Sequence, residues 1–228
     1  TPTDNVTPQK TAYAVYSADD NSLNFYKRTS VPSAGEQFEG KTATAVYTGI
    51  KTMTSRPWSG YASNIKTATV VDDGIAPFST AQWFQRYTSL TSADFSKLDT
   101  SNVTNMQSMF EGCSNLTTLD LSSWDTSNVT NMYWMFEGCS NLTTLDLSSW
   151  DTSNVTGMYM MFDDCSNLTT LDLSSWDTSN VTGMGSMFSG CSKLTSVGDL
   201  SSWDTSKATS MHMMFYRCSN LTSVGDLS

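Results

Sequence analysis

The chain has 228 residues, of which 38% are hydrophobic and 15% charged, and a net charge of −10 at neutral pH. Residues 1–89 hold eight basic and seven acidic side chains, whereas residues 90–228 hold four basic and fifteen acidic ones. This acidic second part argues against nucleic acid or an anionic membrane as partner, because phosphate binding needs clustered Lys and Arg. No apolar run approaches the ~20 residues needed to span a bilayer as a helix. No leader is visible at Thr1, so a mature or trimmed form is expected. Sparse charge with abundant Thr, Ser and Asn fits a secreted or surface protein better than a cytosolic enzyme.

In chain order, residues 1–9 (TPTDNVTPQ) are expected to be a flexible lead. The runs TAYAVYSA, SLNFYKRTS and TATAVYTG are rich in β-branched and aromatic residues, with Asp19-Asp20-Asn21 as a turn between the first two. They predict a small β-rich cap over residues 10–64, with Trp58 at its junction with the segment beginning at residue 65. Stacked repeats need such a cap, since their first member otherwise exposes core and unpaired strand edge.

A repeat begins at residue 65. Ile65, Leu90, Leu116, Leu142, Leu168, Leu194 and Leu221 are spaced 25, 26, 26, 26, 26 and 27 residues apart. Each opens the pattern L-x-x-L-x-L, plainly in Leu116, Leu119 and Leu121 and disguised in Ile65, Ala68 and Val70. The alternation Leu119-Asp120-Leu121 predicts a short strand with leucines inward. Val129, Met132, Met135, Phe136 and Cys139 recur every three or four residues, which predicts one buried face of a short helix. Asp125-Thr126-Ser127-Asn128 lies between them as a turn. The expected core of two successive coils is therefore Leu119, Leu121, Trp124, Met132, Phe136 and Cys139, then Leu145, Leu147, Trp150, Phe162 and Cys165, with Trp176 following. A fixed period of this length marks stacked units that bury one another's apolar faces.

The segment SSWDTSNVTNMxxMFxGCSNLTTLDL resembles the BspA-like leucine-rich repeat, in the variant known from mycoplasma lipoproteins and Gram-positive wall proteins. The resemblance covers residues 65–228, and four tandem copies match nearly throughout. It implies an α/β solenoid of about six coils of 25–27 residues, with a parallel β-sheet on the concave face and short helices on the convex face. It also implies extracellular or cell-wall display, with adhesion a common proposal. The chain stops within a repeat, so truncation at its carboxyl end is expected.

Three sets of residues are candidate sites. Asp120, Asp146 and Asp172 are expected to point out of the strands, one per rung. Calcium needs six to eight converging oxygens, and a straight ladder of single carboxylates converges poorly, so no metal is assigned. Trp124, Trp150 and Trp176 are either a binding platform or a spine; burial is favoured, because one Trp hides ~150–250 Å² that a core with few large side chains needs. Repetition fails at two outward pairs, and Tyr133, Trp134, Tyr159 and Met160 are expected there as an apolar contact patch. The five Cys occupy one place in successive repeats and are expected to be small buried residues, with disulfides left open. His212 is the only His, and no nucleophile with a base is recognisable. No enzyme activity and no cofactor are expected. The sequence predicts a cell-surface binding protein, an adhesin whose partner is a host extracellular or cell-surface protein or glycan. A structural stalk and an ice- or mineral-binding surface are the alternatives.

Overall fold

The computed structural model describes residues 7–53 and 56–227; the first six residues of the expected lead lie outside that range. Strands β1 (Thr11–Ser17) and β2 (Ser22–Arg28) form an antiparallel hairpin with Ala14 opposite Phe25. Their turn uses Asn21 at φ 57, a left-handed conformation that Asn tolerates better than most residues. A two-stranded hairpin of β3 (Gln37–Phe38) and β4 (Lys41–Thr42) comes next, and β5 (Ala45–Thr48) returns antiparallel to β1. On its other side β2 pairs in parallel with β6 (Thr67–Val70), and β6 with β7 (Ser92–Asp94). The product is one mixed sheet of order β5-β1-β2-β6-β7. Strands β6 and β7 belong to the first two repeats, so β2 sets the register on which the repeats stack: Leu23 lies beside Ala68, and Ala68 beside Ala93. Trp58 is fully buried at this junction, with ring centroids 5.2 Å from Phe25 and 5.1 Å from Trp83.

The expected α/β leucine-rich-repeat coil does not form. Among the described residues there is no α-helix; helical structure is confined to three single 3-10 turns, Ile50–Thr52, Ser59–Tyr61 and Leu200–Ser202. No continuous parallel sheet runs along the L-x-x-L-x-L rungs either. Beyond β7 that side has isolated bridges, joining Asp94 to Asp120, Thr144 to Thr170 and Thr170 to Ser196.

The segments expected as helices run instead through successive short turns. The N–H groups of Met135, Glu137 and Cys139 donate to the carbonyls of Met132, Trp134 and Phe136. The alternate N–H groups point along the stack, where Met132, Trp134, Phe136 and Gly138 donate to Gly157, Tyr159, Met161 and Asp163 at 2.8–3.0 Å. Two left-handed residues per repeat allow this, Trp134 (φ 55) and Gly138 (φ 67), then Met160 (φ 53) and Asp164 (φ 55). A left-handed residue terminates an α-helix, and these segments are shorter than the ~12–15 residues below which an isolated helix is marginal in water. A chain of turns also buries residues three and four apart, which is why the apolar period imitated a helix.

Phe110, Phe136, Phe162 and Phe188 form a column of stacked rings 5.6–5.9 Å apart, all fully buried. Burying each such side chain contributes roughly 1.5–3 kcal/mol, against about 1 kcal/mol net for a typical hydrogen bond. Apolar burial therefore drives stacking, and the backbone bonds decide which register is adopted.

Asp164 occupies a left-handed position that Gly112, Gly138 and Gly190 fill in other repeats. An L-residue there is disfavoured by roughly 1–2 kcal/mol, partly offset by the greater unfolded-state freedom of Gly. Asp164→Gly is expected to stabilise the protein by on the order of 0.5–1 kcal/mol and Gly138→Asp to destabilise it similarly. Urea denaturation checks both; opposite signs would contradict the backbone assignment.

Candidate functional site

The rungs carrying Leu119, Leu145 and Leu171 line an open groove of about 510 Å³ with Asp120, Asp146 and Asp172 exposed along it. Each carboxylate is clasped by the Ser two residues on: Asp120 Oδ1 accepts from Ser122 Oγ at 2.7 Å and Ser122 N at 3.0 Å, and Asp146 and Asp172 repeat the arrangement with Ser148 and Ser174. The hydroxyl and amide bonds hold all three carboxyls below the usual range. Among the described residues no group of three His, Cys, Asp or Glu is placed to hold a metal ion. The groove thus presents one locally satisfied acid on each of three successive rungs and Gly198 on the next.

The tryptophans are not on this surface. Trp124, Trp150 and Trp176 are 2–3% exposed and stack in parallel 6.3 and 6.4 Å apart. Each indole N–H donates to a carbonyl of the preceding repeat: Trp124 to Phe95, Trp150 to Leu121, Trp176 to Leu147. The remaining core set, Leu119, Leu121, Met132, Phe136, Cys139, Leu145, Leu147, Phe162 and Cys165, is buried with them. The cysteines are free thiols, and Cys139 and Cys165 donate to the carbonyls of Phe110 and Phe136.

The polar letters of the repeat also bond between repeats. Thr126 Oγ1 donates to Asp151 O at 3.0 Å, Asn128 Nδ2 to Ser101 O at 2.8 Å and Thr130 Oγ1 to Thr104 O at 3.2 Å. The sequence alone makes Asp125-Thr126-Ser127-Asn128 a simple turn, because it shows that a side chain is polar but not which neighbour it reaches.

The outer ladder is different. There the structure brings together Tyr133, Trp134, Tyr159 and Met160, all half-buried. Trp134 lies 5.7 Å from Tyr133 and, edge-on, 5.9 Å from Tyr159, and its indole N–H meets Met160 Sδ at 3.2 Å. His212 extends the row, 5.9 Å from Tyr159, with Nδ1 2.8 Å from Ser210 Oγ. Two glycines make the row possible. A Cβ on Gly157 would strike the Tyr133 ring, and one on Gly185 would come within 2.7 Å of His212 and 2.9 Å of Tyr159. Gly157 stands where the two preceding repeats have Asn105 and Asn131, so a change of letter one repeat after Tyr133 was the legible signal for it. Trp134 and Met160 also wall a groove of about 420 Å³ whose other side offers Gln82, Gln85, Arg86, Gln107, Glu111 and Glu137.

These acids are crowded. Burial, then the charges of Glu111, Asp163 and Asp164, raise the Glu137 carboxyl above the usual 4.5, and burial raises Asp163. Arg86 lies 3.5 Å from Glu111 but is 72% exposed and screened by water.

The family model described as "Mycoplasma protein of unknown function, DUF285" matches residues 78–172 and 144–226. No curated protein and no solved structure matches the chain.

The two carboxylate environments have opposite pH signatures. A raised folded-state pKa, as at Glu137, means stability is gained as pH falls from neutral through that pKa; a lowered one, as at Asp120, means stability is lost as pH falls through it in stronger acid. The melting temperature is expected to rise from pH 7 towards the usual carboxylate range and fall below it, and Glu137→Gln should flatten the rise. Thermal melts across pH test this; a rise of equal size in the Gln variant would contradict it.

Proposed function

The chain belongs to this Mycoplasma repeat family, and from that premise we propose that it is a cell-surface binding module, an adhesin that engages a host protein or glycan through its outer ladder. The carrying observation is the row of Tyr133, Trp134 and Tyr159, with Met160, at the positions where otherwise near-identical repeats diverge. The stacked Met and Phe of the repeats from residue 106 onward do not vary; these do, and Trp134 and Met160 wall a groove of amides, carboxylates and Arg86. Aromatic faces flanked by such hydrogen-bonding groups suit a sugar ring or a protein loop. Within the family, L-x-x-L-x-L and Met-Phe-x-x-Cys support a BspA-like relationship and, with it, extracellular display. The reading is of binding rather than catalysis, with no cofactor. No helix among the described residues is long and apolar enough to cross a membrane.

A spacer role is the second reading, favoured by the near-identity of the central repeats.

The test copies another repeat of the same protein. Gln107-Ser108 occupies the places of Tyr133-Trp134, and Ser108 has the same left-handed backbone (φ 54) as Trp134. The variant Tyr133→Gln/Trp134→Ser is therefore expected to fold normally. Probed on glycan and extracellular-matrix arrays, the wild type should show discrete binding that the variant loses by tenfold or more, about 1.4 kcal/mol. Equal binding by a normally folded variant would remove the patch as the site, and no binding by the wild type would favour the spacer.

A further inference from the structure

The cap is net positive, with six basic and four acidic side chains over residues 10–64, whereas residues 65–228 hold six basic and seventeen acidic ones. Lys10, Lys27 and Lys51 come from the segment entering β1, from β2 and from the 3-10 turn after β5, and they line one cleft of about 350 Å³ with Asn102. No carboxylate lines that cleft. Among the described residues none of the three ammonium groups takes part in an ion pair, whereas Arg28 pairs with Glu39 and Asp72, and Lys41 with Asp20. The nearby Asp72 is already engaged, accepting from Arg28 Nε at 2.9 Å and Lys27 N at 3.0 Å. Lys51 is held over the Phe78 ring at 4.9 Å. Gly74 turns the backbone close beneath Lys27, where a Cβ would lie 2.9 Å from Nζ. Three like charges from separate elements line this cleft, while Asp72 and Asp73 lie in the adjoining cleft that Lys10 and Lys27 also line, and the carboxylate-free side makes a site for a multiply charged anion.

We propose that this cleft binds a phosphate or sulfate group carried by a soluble or glycan-borne ligand. A single carboxylate balances one of the three ammonium groups, whereas a phosphate monoester carries about −1.5 to −2 and three acceptor oxygens. The acidic repeats oppose approach to an anionic bilayer, which points to a carrier other than lipid. The site is separate from the outer aromatic row and does not depend on it.

The full chain is titrated with inorganic phosphate and, separately, inorganic sulfate, followed by NMR of the lysine ammonium groups. Shifts at Lys10, Lys27 and Lys51, larger than those at Lys66, Lys193 and Lys207, are expected. Lys27→Gln/Lys51→Gln should weaken binding at least fivefold with an unchanged melting temperature, while Tyr133→Gln/Trp134→Ser should leave it intact. Absent shifts, or equal shifts at all lysines, would overturn the site. Tighter binding to phosphatidylglycerol vesicles than to free phosphate at equal phosphate concentration would overturn the choice of carrier.

Discussion

Each repeat is held by backbone hydrogen bonds that it makes to the next repeat, alternating with those that close its own turns. The alternate amides of residues 106–112 donate to the carbonyls of residues 131–137, and those of residues 132–138 donate to residues 157–163. A peptide group can take part only if its carbonyl points back and its N–H forward along the stack, which demands left-handed residues at fixed places. Everything uniform about the repeat stems from that demand. Phe and Trp fall into stacked columns, cysteine thiols reach the preceding Phe carbonyl, and Thr and Asn side chains add bonds in both directions. The cap supplies the first template, because β2 already presents the parallel edge that β6 and β7 extend.

Much of this is legible in the sequence. The period is explicit in the leucines, and the alternation of TAYAVYSA and SLNFYKRTS gives the hairpin its strands. What misleads is a degeneracy: turns of three residues and an α-helix bury the same spacing, so Val129, Met132, Met135, Phe136 and Cys139 do not distinguish them. Trp134 and Met160 at positive φ decide the matter, and nothing in a bulky side chain announces that conformation. The direction of polar side chains is equally hidden, since Asn128 looks like a turn residue whether or not its amide reaches Ser101. At the candidate site, Tyr133 and Trp134 stand out as departures from the repeat. That Gly157 and Gly185 are the space their row occupies required geometry.

The same constraint sorts the surfaces. The groove over Asp120, Asp146 and Asp172 is a consequence of repetition and shows one motif on those three rungs, with Gly198 on the next. The outer ladder commits its backbone to stacking but leaves its side chains free, so Gln107, Tyr133, Tyr159, Gly185 and His212 differ in one column without disturbing the fold. The cap is not bound by the period at all, and it holds six of the twelve basic residues in a quarter of the chain's length. Side-chain variation is thus placed where stacking does not dictate the side chain.

The ladder between repeats is most directly tested by scalar couplings across hydrogen bonds in isotopically labelled protein. The account predicts couplings from the Trp134 amide nitrogen to the Tyr159 carbonyl carbon and from Phe136 to Met161. Couplings instead from Phe136 to the Met132 carbonyl, four residues back as in an α-helix, would contradict it.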